Sequence, residues 1–342
     1  MNPLSRGARS GVFALALSFL LGPVAARADQ VVISRKLSTA PGLPFGGVGH
    51  ITRWIDGTRL REDTSLSMEP LARDSSGAGG VKVPPTPREG AKPVDAMEVS
   101  AIWSADDRTW LMWSKDQDVY DAASEDSLAR GSGGADEMSA GFAEFFGTGQ
   151  EVVQEVTVSV DSAGPESTIA GVPSRRYLLR AEGRYYEIEK NSGGAIAFVR
   201  TVWTARAIPG VSPSVPRLQD GPSRVMAGTL TGMQFLIFPM FRQALDRLDT
   251  EVAKLPGQRM LDALQLETPR DSIMAGGPSG GAPPKWGGET LPIYEEKVLE
   301  VRTEPSRSDL FRLPAGLHKR GPPSPVEVRE VPPPAPRSRR SR

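Results

Sequence analysis

Between Gln30 and Lys319, apolar and polar residues alternate with a period of two over many short runs, the pattern of half-buried strands. Val31–Ser38 predicts a first strand. His50–Ile55 and Thr58–Thr64 flank Asp56-Gly57, a hairpin signal because glycine accepts the positive φ of a type I′ turn. Glu98–Ser104 and Thr109–Ser114 predict a second hairpin about the acidic turn Ala105–Arg108. Val152–Asp161 alternates valine with polar residues. Ser174–Ala181 and Arg184–Lys190 predict a pair across Glu182-Gly183, and Ile196–Ala205 a strand after Gly193-Gly194. Leu291–Thr303 reads as a late strand and Leu310–Leu313 as a short terminal one.

One stretch breaks this period. In Thr229–Lys254, apolar residues recur every three or four positions from Leu230 through Val252, which predicts a helix. Its first half is apolar nearly all round, and Pro239 predicts a kink. Its second half is amphipathic. Met260–Leu264 predicts a further short helix. The expected fold is mainly β with helices: a strongly curved antiparallel sheet, or half-barrel, covered by one long apolar helix.

Composition marks the punctuation. Glycine (36) and proline (31) concentrate in a few tracts, which places insertions near 65–97, 124–150, 206–227 and 269–289 and predicts mobile surface segments there. Residues 320–342 lack the apolar content to fold and read as an extended Pro/Arg-rich tail. Residues 29–319 are expected to form a single domain.

The first 28 residues have the form of a secretory signal peptide. Arg6 and Arg9 precede the short apolar run Val12–Leu21, Pro23 breaks it, and Ala26-Arg27-Ala28 fits the cleavage site. The run is shorter than the roughly 20 residues that span a bilayer. The expected product is exported, to the periplasm or the extracellular space, with no transmembrane span after cleavage. Without any cysteine it has neither disulfides nor thiol chemistry, and its stability rests on the apolar core. Loss of Arg6, Arg9 and Arg27 leaves 38 basic against 41 acidic side chains, a balance of −3. That near-neutrality offers no argument for nucleic acid.

Candidate chemistry is sparse. The two histidines, His50 and His318, lie at opposite ends of the chain. No metalloprotease, phosphate-loop or nucleophile-elbow motif occurs. GGVGH (Gly46–His50) precedes a strand and opens no helix, so it forms no phosphate cradle. Asp106 and Asp107 suit a turn. Asp116, Asp118 and Asp121 lack the glycine and the bidentate glutamate of a calcium loop. These patterns point away from an enzyme and imply no cofactor or metal. A carboxylate-only hydrolase is the least favoured reading.

The aromatic residues carry more. Trp54, Trp103, Trp110, Trp113, Trp203, Phe198, Tyr177 and Tyr185 suit the apolar face of a curved sheet. A covered face of that kind accommodates an apolar ligand or a partner's apolar segment. The expected cavity lining is Trp103, Trp110, Trp113, Trp203, Phe235, Phe238 and Phe241.

Four segments, in order, strengthen this reading: ITRWIDGTRLRED (Ile51–Asp63), AIWSADDRTWLMWSKDQDVY (Ala101–Tyr120), STIAGVPSRRYLL (Ser167–Leu179) and LFRLPAGLHK (Leu310–Lys319). Together they resemble a class of exported bacterial proteins with a domain of unknown function, related to the lipoprotein carrier and receptor half-barrels of the Lol pathway. The resemblance implies a curved antiparallel sheet wrapped around helices, with an apolar cavity. The function expected is non-enzymatic binding of a lipid or acyl chain. An envelope protein-interaction or sensor module is the alternative.

Overall fold

The computed structural model describes residues 29–39, 47–68, 94–129, 155–161, 164, 166–187, 192–224, 242–270 and 287–320. The signal-peptide segment, the tail after 320 and the apolar half of the expected long helix, with Phe235, Phe238 and Phe241, lie outside them.

The described residues form thirteen strands: β1 (Asp29–Thr39), β2 (Gly47–Asp56), β3 (Arg59–Met68), β4 (Val94–Ser104), β5 (Thr109–Ser114), β6 (Val119–Ser124), β7 (Glu155–Asp161), β8 (Ser167–Ile169), β9 (Val172–Glu187), β10 (Ser192–Ala205), β11 (Gln258–Glu267), β12 (Thr290–Pro305) and β13 (His318–Lys319). The α-helices α1 (Glu125–Ala129) and α2 (Arg242–Ala253) accompany them, with a 3₁₀ turn at Ser308–Phe311, and residues 222–224 are also helical. The strands join in one open, strongly curved sheet, in the order β13-β6-β5-β4-β3-β2-β1-β12-β11-β10-β9-β7, with β8 also on β9. Every pairing is antiparallel except β13 on β6. Curvature is visible in the core: Trp110 of β5 and Val172 of β9, far apart in strand order, belong to one buried cluster.

Several local expectations change. Gly57-Thr58 is the β2–β3 loop, and only Gly57 has positive φ (60°). A glycine at the first loop position is the type II′ pattern rather than type I′. Glu182-Gly183 is no turn: β9 runs unbroken through it, paired with β7 on one side and β10 on the other. Gly193 and Gly194 are strand residues opposite Tyr186 and Tyr185. Met260–Leu264 is part of β11 and not a helix, because alternate residues bury on one face. Leu310 and Phe311 fall in the 3₁₀ turn, while the terminal strand is His318–Lys319. The second hairpin turns at Ala105–Arg108 as expected, with Arg108 at φ 48° and ion-paired to Glu125 at 2.5 Å.

Two buried clusters divide the covered face. The first joins Val31, Ile33, Ile55, Leu60, Trp103 and Trp110 to Ile208, Val215 and Leu218. The second joins Tyr177, Leu179, Ala181, Phe198, Val202, Leu264 and Ile293 to Ala244, Leu248 and Val252 of α2. Those three helix residues are four apart, so they share the stripe that faces the sheet. The larger correction concerns residues 206–224. Expected to be a Pro/Gly linker, they pack against the sheet and close the first cluster.

Gly257 fixes the approach to β11. Its φ is +85°, and a Cβ there would stand 2.2 Å from the Ala205 carbonyl oxygen. The left-handed backbone alone costs a non-glycine residue about 1–3 kcal/mol. Gly257→Ala is therefore expected to lower the thermal midpoint by several degrees. An unchanged midpoint in calorimetry would remove the constraint.

Candidate functional site

Register builds the site. Directly paired residues share a face, so the pairings place Val31, Ile55, Leu60, Trp103 and Trp110 in one row across β1–β5. The next row is Ile33, Arg53, Glu62, Ala101 and Met112; the next is Arg35, Ile51, Thr64, Val99 and Ser114. Three charged residues thus occupy apolar-parity positions of adjacent strands. All are buried: Arg35 is 2% exposed, Arg53 0% and Glu62 1%.

Glu62 holds both guanidiniums. Its Oε2 accepts from Arg35 Nη2 at 2.8 Å and from Arg53 Nε and Nη2 at 2.9 and 2.5 Å. Arg35 Nη1 also donates to Glu296 at 2.6 Å. The remaining donors turn to the segment that covers the face, residues 208–223. Arg53 donates to the carbonyls of Pro216, Arg217, Leu218 and Asp220, at 3.2, 2.8, 3.4 and 3.0 Å. Arg35 donates to the Leu218 carbonyl at 2.8 Å and to Ser223 Oγ at 3.0 Å. The Ser223 amide donates to Glu62 Oε1 at 2.9 Å.

This segment is a plug made of successive turns, Val211 onto Ile208, Val215 onto Ser212 and Asp220 onto Arg217. Its prolines and polar residues suit turns, whereas Ile208, Val215 and Leu218 point into the core. Gly221, at φ +144°, lets the backbone lie against Trp110 and Arg53; a Cβ there would meet the Trp110 ring at 3.1 Å. Gln258 Oε1 accepts from the Leu218 amide at 2.8 Å, tying the plug to β11.

Burial would raise the Glu62 pKa, but Arg53 and Arg35 outweigh it and hold the carboxyl below its ordinary value. Burial lowers the Arg53 pKa. A guanidinium stays protonated throughout the range in which proteins fold, so the carboxylate alone carries a pH effect.

A second charged group fixes α2. Asp262 is 1% exposed and accepts bidentately from Arg200 at 2.7 and 2.8 Å, and from Arg259 at 2.8 Å. Arg200 also pairs with Asp249 of α2 and lies 5.7 Å from the Tyr294 ring centroid. Burial would raise Asp262, yet Arg200 and then Arg259 hold it at about 2. Burial also raises the Tyr294 phenol well above its usual range. Arg247 on α2 donates to the Val156 carbonyl of β7 at 2.6 Å.

The expected lining residues separate. Trp103 and Trp110 stand side by side on the covered face, 5% and 1% exposed, in a closed core beneath the plug. The Trp103 indole nitrogen is buried with no hydrogen-bond partner among the described residues. Trp113 lies on the opposite face, because it is an odd number of residues from Trp110. There it shares Arg61 with Trp54, at 5.7 and 5.9 Å. Trp203 is half-buried and also on the opposite face, beside Arg176 and Leu261, with Val202 taking the covered side.

His50 is exposed on β2, and His318 faces Asp118 at 3.7 Å beside the β13–β6 pairing. Asp121 pairs with Arg320 at 3.2 Å. Among the described residues no group of three or more His, Cys, Asp or Glu is placed to hold a metal ion. No described helix is long and apolar enough to cross a membrane.

Arg35, Arg53, Glu62, Arg200 and Asp262 were not among the expected site residues. The signal was present: Arg35 follows Val31 and Ile33 in the parity of the buried face, and Arg53 lies between Ile51 and Ile55. A charge at an inward position of a strand needs a partner from another element.

Fold and site together define a class: an open, curved antiparallel sheet whose apolar face is closed by separately anchored, non-sheet segments. Comparison with known proteins adds no relative: no family model, curated protein or solved structure matches the chain.

Proposed function

We propose that this is an exported, non-enzymatic binding protein of the lipoprotein-carrier half-barrel type, which takes a lipid or acyl chain against the covered face of its sheet. One observation carries the reading. The apolar rows of an open sheet are covered by two elements that are not strands of it, the plug and α2, each attached through buried arginines. Displacing these covers would break no strand pairing and would open the apolar rows beneath them to a ligand chain. Burial of that chain supplies about 25 cal/mol per Å² of apolar area.

Lipid extraction and mass spectrometry of the mature protein, purified from its own host without detergent, test this. Stoichiometric acyl lipid is the expected result. A lipid-free protein that also fails to take up dodecanoate or dodecanol would overturn it.

A further inference from the structure

We infer that the ligand is an amphiphile with an anionic head, and that Arg35 and Arg53 receive that head. This rests on the reading above, that an acyl chain occupies the covered face. The plug's contribution to the two guanidiniums is a set of oxygen acceptors. Four carbonyls, from Pro216, Arg217, Leu218 and Asp220, and the Ser223 hydroxyl take donations from Arg35 and Arg53. A chain that enters this half of the face displaces those acceptors. Glu62 and Glu296 remain, but they already hold their own share of the donors.

A purely apolar ligand would leave several guanidinium N–H groups buried and unbonded, each an unfavourable loss. A carboxylate or phosphate restores the bonds, because its oxygens match the planar fork of an arginine. Arg35 adds a second, independent sign. At 2% exposure, its Nε has no hydrogen-bond partner among the described residues, so one donor is open even with the plug in place. Ile33 and Ile51, the direct cross-strand neighbours of Arg53 and Arg35, are buried, and the next row beyond Arg53, Val31, Ile55, Leu60, Trp103 and Trp110, is wholly apolar. That arrangement suits a charged head followed by a hydrocarbon chain.

Calorimetric titration of the delipidated mature protein at neutral pH tests the inference, with dodecanoate, dodecyl phosphate and dodecanol below their aggregation limits, and with acetate and inorganic phosphate alone. The two anionic amphiphiles are expected to bind at least tenfold more tightly than dodecanol, and the chainless anions more weakly than either. Arg35→Gln should shrink the dodecanoate-to-dodecanol ratio towards one while dodecanol binding persists. Should that variant not fold, the wild-type ratio decides alone. Equal binding of acid and alcohol overturns the head-group assignment and leaves the apolar-ligand reading standing. Acetate or phosphate binding as tightly as the amphiphiles overturns the amphiphile. Failure of all five overturns both readings.

Discussion

Glu62→Leu should destabilise the protein by about 3–5 kcal/mol in urea unfolding, the cost of breaking a buried ion pair from one side. Two fully buried guanidiniums, Arg35 and Arg53, lose the carboxylate they share, and the Ser223 amide loses its acceptor. The companion variant is more discriminating. Replacing all three by apolar residues of similar size would recover stability if the group were an isolated charge cluster. Here recovery should fail, because the carbonyls of 216–218 and 220 lose their donors too. A Glu62→Leu protein within about 1 kcal/mol of wild type would show that the shared carboxylate is not what stabilises the two buried arginines.

Asp262→Asn is expected to cost a similar amount at neutral pH and to change the acid side of the stability profile. The folded carboxyl titrates at about 2, below its ordinary 3.8. A depressed value stabilises the fold while the group is ionised. The contribution is full above about pH 4 to 5 and is lost as the pH falls through 2. A shift of this size corresponds to about 2 kcal/mol. Glu62, also held low, acts in the same direction. Denaturation midpoints between pH 5 and pH 2 should therefore fall more steeply for wild type than for Asp262→Asn. Parallel profiles would mean that Arg200 and Arg259 do not bias the Asp262 titration. Loss of α2 helicity in the variant, read by circular dichroism, would follow from release of Arg200, which bridges Asp262 to Asp249.

Strand content was readable because the period-two signal survives wherever one face is buried. β1, with Val31, Ile33 and Leu37 on one face, and the β4–β5 hairpin are clear examples. The signal weakened where both faces are partly covered. In β11, Met260, Leu261 and Leu264 also fit a helical spacing, so the sequence of Met260–Leu264 alone does not distinguish strand from helix. Glycine misled in the opposite direction: Gly183 reads as a turn, yet it sits within a long strand between two partners and needs no special φ. For the tryptophans, parity was the missing step. Trp110 and Trp113 are three apart on one strand, so a single face holds only one of them.

By itself, the sequence determined the strand periodicity, the β4–β5 turn, the amphipathic stripe of α2 and the absence of thiol chemistry. These follow from local spacing and residue type. Tertiary structure alone decided which arginine meets which carboxylate, which tryptophans share a core, and that residues 208–223 form a plug. Each depends on contacts between positions far apart in the chain, such as Arg53 with Asp220 and Arg200 with Asp262. A proline- and glycine-rich stretch has the composition of a linker. It becomes a buried cover only because the sheet presents two buried guanidiniums whose remaining N–H groups need acceptors, and its backbone carbonyls supply them.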